Sequence, residues 1–177
     1  MMAALRFHRA TLAVTLRSLA ADRRFRTVVA VTPDRSRGPW LQGLPSVTQG
    51  TGDLGHRMHR AIRRHPQGRV AIVGSDIPAL RAADVANAFR LLGRARACFG
   101  PSRDGGYWLV ALAPRRPATP FARVRWSTSA ALADTLANFA RHPAAMLRTL
   151  RDVDTAEDLA QLLRATGSHP APDTLVT

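Results

Sequence analysis

The chain has 177 residues, about one domain's worth and enough to bury a sizeable core. Its formal net charge is +14, every one of its 26 basic residues is arginine, and Glu157 is the one glutamate among 12 acidic residues. The arginines are spread along the chain with no aromatic platform beside them, which argues against a single-strand nucleic-acid binder and fits a compositional bias that favours anionic ligands in general. One cysteine, Cys98, excludes an internal disulfide and a cysteine-based zinc cage. No apolar run reaches membrane-spanning length, and Arg6, His8, Arg9 and Arg17 interrupt any signal-peptide core. A cytoplasmic protein with no membrane partner is the expectation.

The first predicted element is a helix over Ala3–Ala21, with Leu5, Leu12, Leu16 and Leu19 on one face. Val28–Val31 reads as a strand, followed by a turn at Thr32-Pro33-Asp34 and a Pro/Gly-containing loop over Arg35–Pro45. A short extended piece, Ser46–Gln49, leads into Gly50-Thr51-Gly52-Asp53. A helix then starts near Asp53 or Leu54, with Leu54, Met58, Ala61 and Ile62 inward, and stops at His65-Pro66 because the residue before proline leaves the helical region. Val70–Val73 is an unbroken apolar run, the pattern of a strand buried on both faces in a parallel sheet. A helix over about Ala82–Leu92 carries Val85, Ala86 and Phe89 inward. Ala97–Phe99 is a strand that buries Cys98, Gly100–Gly106 a loop, Tyr107–Leu112 a strand, and Pro114–Pro120 a Pro/Arg connector. Ser127 or Thr128 caps a helix to about Arg141 with Leu132, Leu136 and Phe139 inward. Met146–Leu150 reads as a last strand. Asp154-Thr155-Ala156-Glu157 resembles a capping box opening a final helix with Leu159, Leu162 and Leu163. The tail after Thr166 is expected to be mobile. Strands alternating with helices of this length predict one α/β domain of three layers over residues 1–166, followed by the tail 167–177.

In open α/β sheets the ligand sits outside the carboxyl ends of the strands, and three loops fall there. In Gly74-Ser75-Asp76-Ile77-Pro78, Asp76 stands at a strand tip among small neighbours. It either caps the next helix or holds a hard cation such as Mg²⁺, which takes few protein carboxylates. In Gln49–Met58, Gly50, Gly52 and Gly55 let a ligand approach the backbone, and the following helix start favours an anion. The same residues also make an ordinary glycine turn capped by Asp53. In Gly100–Tyr107, Asp104 is a second carboxylate on the same side as Asp76, although Asp-Gly-Gly is also common turn chemistry. Arg151-Asp152-Val153-Asp154-Thr155 offers two more acids, one of which a helix cap would use. Trp126-Ser127-Thr128 reads either as a packed tryptophan with a cap or as a substrate contact.

In combination and in this order, QGTGDLGHRM, VGSDIPAL, GPSRDGGYWLVAL, WST and DVDTAEDL resemble the radical-SAM/selenodomain-associated transferases. The resemblance covers about Ala3–Leu163. It implies a GT-A-like, nucleotide-diphospho-sugar-transferase fold and a transferase of glycosyl or nucleotidyl type, using a nucleotide or nucleotide-sugar with Mg²⁺ or Mn²⁺. PSRDGGYWLVAL also looks like the matching loop of phospholactate-type guanylyltransferases. Under the resemblance Asp76 is the main metal ligand, and Asp104 shares the ion or orients the acceptor. Gly50, Gly52, Asp53, Leu54 and Gly55 take the nucleotide's base or ribose, and Arg57 and Arg103 its phosphates. Gly105, Gly106, Tyr107, Trp126 and Ser127 face the substrate, and Asp104 or Asp154 is the candidate base.

Members of that family usually open with a strand and a K-x-P-x-x-G-x-x-K-T-R-L loop, whereas this sequence starts at about the following helix and contains no lysine. The first strand is central in GT-A-like sheets. Its absence is expected to leave a gap between Val28–Val31 and Val70–Val73, closed by direct pairing or by another chain in a homo-oligomer. A family member without turnover, binding a nucleotide or a protein, is the second expectation.

Overall fold

The computed structural model describes residues 2–34 and 36–151. The long first helix, α1 (Met2–Ala21), is followed by β1 (Val29–Val31), a 3₁₀ turn at Pro39–Leu41, β2 (Ser46–Thr48), α2 (Leu54–Arg63) and β3 (Val70–Val73). Then come α3 (Ala82–Leu91), β4 (Ala97–Pro101), β5 (Tyr107–Leu112), α4 (Ala131–Ala137) and β6 (Ala144–Met146). Among the described residues no helix is long and apolar enough to cross a membrane.

The strands make two sheets. β1 and β2 pair in parallel, and a four-stranded sheet runs in the order β3-β5-β4-β6. β5 is antiparallel to both its neighbours, while β4 and β6 are parallel. Alternate residues of the larger sheet enter opposite layers. On one face Cys98, Leu109 and Ala111 pack with Leu19 of α1 and with Val85, Ala88 and Leu92 from α3 and its end. On the other, Ala97, Phe99, Val110 and Leu112 pack with Met58 and Ile62 of α2 and with Phe121 and Phe139. The predicted three-layer α/β arrangement is therefore present.

Several expectations are corrected. Val70–Val73 is half-buried at all four positions, and its one strand partner among the described residues is the antiparallel β5, so it is not the fully buried parallel strand its apolar run suggests. The direct pairing expected between the Val28–Val31 strand and β3 is absent among the described residues. β1 instead pairs in parallel with β2, from Val29↔Ser46 to Val31↔Thr48, which occupies one of its edges. The helix expected from Ser127 or Thr128 to about Arg141 spans only Ala131–Ala137. Ser127 takes a left-handed φ of 58°, and the Thr128 hydroxyl accepts from Ala130 N–H at 3.2 Å ahead of the helix. The last strand is Ala144–Met146 rather than Met146–Leu150, because the register Ala97↔Ala144 to Phe99↔Met146 pairs it with β4, leaving Leu150 in a single bridge to Ser102. Leu54 faces solvent at 51% exposure, since the first helical residue precedes the face that Met58 and Ile62 bury. Ala88, rather than Ala86, is fully buried on α3. The helix expected after Asp154 and the tail 167–177 lie outside the described residues.

Two arginines fasten connecting segments to helices. Arg116, in the Pro/Arg connector, donates to the carbonyls of Ile62, His65 and Pro66 and so closes the C-terminus of α2. Arg125 grips Asp134 with two guanidinium bonds of 2.8 and 2.9 Å, and its own N–H adds a third at 3.0 Å. These bonds hold the Asp134 carboxyl at about 2, below the ordinary 3.8. The folded-state value is depressed, so the unfolded chain binds more protons between these two values and stability rises with pH there. The Arg125–Asp134 contribution is thus complete above the ordinary carboxylate range and disappears as pH falls through about 2. Thermal unfolding of the parent chain and of Asp134→Asn is expected to give a gap that narrows steadily from pH 5 down to pH 2. A gap that stays constant with pH would show that this pair does not carry the dependence.

Candidate functional site

β3 and β4 both run antiparallel to β5, so their carboxyl ends and the start of β5 lie at one edge of the sheet. Gly74 N–H extends the ladder with a 2.9 Å bond to the Trp108 carbonyl, and the chain then leaves the sheet through Ser75 and Asp76. The Asp76 carboxylate folds back toward the strand end, since a Cβ placed on Gly74 would lie 2.9 Å from Asp76 Oδ1. No described residue gives Asp76 a hydrogen bond or an ion pair, and no side chain of Asp76 caps α3. That cap is instead built by Asp84, which accepts from Arg81 N–H at 2.9 Å.

The β4–β5 hairpin carries Asp104 at the same edge. Ser102 N–H donates to the Gly106 carbonyl at 3.0 Å, and Asp104 Oδ1 accepts from Gly106 N–H at 2.8 Å. Asp104 therefore makes the turn expected of Asp-Gly-Gly with one carboxylate oxygen. Gly105, at φ +87°, lies against the backbone of Ser129, and its carbonyl accepts from Leu132 N–H at 3.0 Å. This pair of contacts seats the start of α4 on the hairpin. Arg103 is exposed and bonds to no described residue.

The glycine loop before α2 joins this edge through Trp126. A Cβ on Gly55 would meet the Trp126 ring at 2.9 Å, so only glycine lets the helix start come this close. The Trp126 ring in turn stands edge-on to Tyr107, with centroids 6.5 Å apart, and to Phe121 at 6.2 Å. Asp53 is the N-cap of α2: it accepts from His56 N–H at 2.8 Å and meets His56 Nδ1 at 2.7 Å. Those bonds lower its carboxyl below the ordinary range. Gly50 and Gly52 take φ of +72° and +98°, as a ligand-approaching glycine loop or a plain glycine turn both require.

The structure thus gathers the glycine loop, the Asp104 hairpin and the Trp126–Ser129 segment, and sets Asp76 at the same sheet edge. It commits other candidates to packing. Arg57 Nε donates to the Gly52 carbonyl at 2.9 Å, so that nitrogen holds the loop rather than reaching outward for phosphate. Tyr107 lies between Phe99 and Trp126, and burial pushes its hydroxyl up to about 12. Cys98 is fully buried in β4, and its thiol is pushed up to about 11, as expected of a core cysteine. Asp154 lies outside the described residues. Two loop-holding side chains were missed by the sequence reading. Asp34 accepts from Gly50 N–H at 2.9 Å, and the Arg60 guanidinium donates to the carbonyls of Gln49 and Thr51. Arg60 had a local signal, being one turn beyond His56 on α2. Asp34, 16 residues from its partner, had none.

The donor chemistry suits a hard cation. Asp76 has no hydrogen bond or ion pair with a described residue, and Asp104 has one carboxylate oxygen to which no described residue donates. Mg²⁺ asks for one or two carboxylates and keeps water or phosphate oxygens at its other positions. No group of three His, Cys, Asp or Glu side chains that could cage a metal occurs among the described residues.

The model of a family described as "Uncharacterized protein conserved in bacteria (DUF2064)" matches residues 15–128. Seven solved chains match in structure. One is a 1.90 Å crystal structure from Desulfovibrio desulfuricans G20, described as a "putative nucleotide-diphospho-sugar transferase". It has a TM-score of 0.81 and 28% identity, over 91% of this chain and 74% of that one. A comparison with curated proteins gives no match.

Proposed function

The chain belongs to the DUF2064 family, and from that premise we propose that it is a transferase whose donor is a nucleotide-sugar or a nucleotide, assisted by Mg²⁺ or Mn²⁺. The observation that carries the reading is the Asp76 carboxylate, bonded to no described residue at the carboxyl end of β3, in a fold that matches the Desulfovibrio structure. A carboxylate to which no described residue donates, at the carboxyl end of a strand, is available to a donor's metal.

In this reading Asp76 and the uncommitted oxygen of Asp104 hold the ion, which supplies neutralisation of the charge that develops on the donor phosphates. The backbone of Gly50–Gly55, shaped by Asp34, Arg57 and Arg60, takes the base and ribose. Arg103 is the nearby guanidinium with no bond to a described residue, and it pairs with a phosphate. Gly105 and Gly106 keep the hairpin low enough for an acceptor, and Trp126 with Ser127 borders the same space. Asp104 serves as acceptor base if it does not hold the ion, with Asp154 as the other candidate.

The test is thermal unfolding with a panel of nucleotides and nucleotide-sugars, each with and without Mg²⁺ or Mn²⁺. A donor at about 100 times its Kd adds about 2.7 kcal/mol, a rise of roughly 5–10 °C for a chain of this size. Asp76→Asn is expected to keep the ligand-free midpoint and lose the metal-dependent rise. A guanine nucleotide giving the largest rise would point to guanylyl transfer. A rise without turnover in a donor assay would mark a binding protein, and no rise with any ligand would overturn the proposal.

A further inference from the structure

The outward face of α2 lines an open cleft of about 380 Å³, bounded by His56, His59, Arg60, Arg63 and Arg64. The ten residues of α2 place four basic or titratable side chains on this cleft, its C-cap Arg64 adds a fifth, and α2 itself contains no acidic residue. Elsewhere arginines meet carboxylates: Arg24 with Asp22, Arg125 with Asp134, Arg148 with Asp84. None of the cleft's arginines does so among the described residues, and Asp53, at the start of α2, is spent on the helix cap and on His56.

Two of the cations are also fixed in position. Arg60 is held by the carbonyls of Gln49 and Thr51, and Arg64 by the Thr48 hydroxyl at 3.2 Å. A guanidinium anchored by carbonyls keeps its charge and loses little further freedom on meeting an anion. His59 is kept below its ordinary value by burial and by the nearby charges of Arg63, His56 and Arg116, so cations here crowd one another. An anion seated among them relieves that repulsion.

We infer that this cleft binds the oligophosphate group of a small phosphorylated ligand, through side chains none of which belongs to the Asp76 or Asp104 loops. The site stands whether or not the transferase reading does. Because Arg60 belongs both to the cleft and to the Gln49–Gly52 loop, an anion bound there also stiffens that loop.

The experiment is calorimetric titration of the full 177-residue chain with inorganic tripolyphosphate, in the parent, in Arg63→Ser/Arg64→Ser, and in Arg90→Ser/Arg94→Ser. The last removes the same charge from a separate arginine pair near the end of α3. Saturable one-to-one binding, weakened about tenfold or more in the α2 variant and within about twofold of the parent in the α3 variant, is the expected result. Arg63 is exposed and bonds to no described residue, so the single Arg63→Ser variant keeps the test open if the double variant fails to fold. Equal weakening in both double variants would reduce the effect to net charge and overturn the inference, as would unchanged binding in the α2 variant. A short single-stranded oligonucleotide that binds more tightly than tripolyphosphate, with a salt slope of about five phosphates or more, would assign the cleft to nucleic acid and overturn it too.

Discussion

Replacing Phe99 by alanine is expected to lower stability by about 4 kcal/mol, which for a chain of this size drops the unfolding midpoint by roughly 8–16 °C. Phe99 is fully buried in β4, at the centre of the layer that joins the larger sheet to α2 and the α4 region. Its ring stands edge-on to Tyr107, with centroids 5.6 Å apart, and to Phe139 at 5.8 Å. The substitution removes the transfer free energy of a whole phenyl ring and both aromatic contacts, and it leaves a cavity bounded by β-sheet that cannot collapse freely. Trp40, at 37% exposure, provides the contrast: Trp40→Ala is expected to cost well under half as much. Denaturant unfolding of the two variants checks both numbers. A loss below about 1.5 kcal/mol for Phe99→Ala would mean that this layer repacks and is not the rigid support of the site.

Gly105→Ala is expected to cost about 3 kcal/mol or more, through two separable causes. The first is conformational, since φ at Gly105 is +87°, a region that alanine disfavours by roughly 1–2 kcal/mol. The second is a collision. A Cβ there would lie 2.2 Å from the Ser129 carbonyl oxygen and 2.6 Å from its Cα, and backbone atoms cannot swing aside as a side chain can. Relief requires the hairpin and the start of α4 to separate, stretching the Leu132–Gly105 hydrogen bond. Gly43→Ala isolates the first cause, because Gly43 has a similar φ of +76° and nothing within 4 Å of an added Cβ. The difference between the two variants in unfolding free energy measures the collision alone. Asp104 sits on the displaced hairpin, so Gly105→Ala is also expected to diminish the metal-dependent rise with nucleotide. Equal costs for the two glycines would show that Ser129 yields and that the hairpin is not seated on α4.

By itself the sequence determined the elements whose signals are local. The leucine spacing of α1 correctly buries Leu16 and Leu19, Asp53 caps α2 as its place before the apolar row predicts, and His65-Pro66 ends that helix. Apolar runs located β3, β4 and β5 and put Cys98 in the core. The order of the strands was enough to bring the Gly74–Asp76 and Gly100–Gly106 loops to one sheet edge. Each of these rests on interactions within about a turn of helix or a few strand residues, which adjacent letters encode.

Only the tertiary structure decided partner choice and contact. That β3 pairs with antiparallel β5, that Ala144–Met146 is the stretch that lies against β4, and that Val29–Val31 stays with β2 depend on residues tens of positions apart competing for the same edge. Trp126 reaching Gly55, Arg116 closing α2, and Arg60 holding carbonyls rather than carboxylates belong to the same class. An arginine reads alike in sequence whether it caps a helix, braces a loop or waits for an anion. What separates these roles is which oxygen lies within hydrogen-bond distance, and that is settled only when distant segments pack.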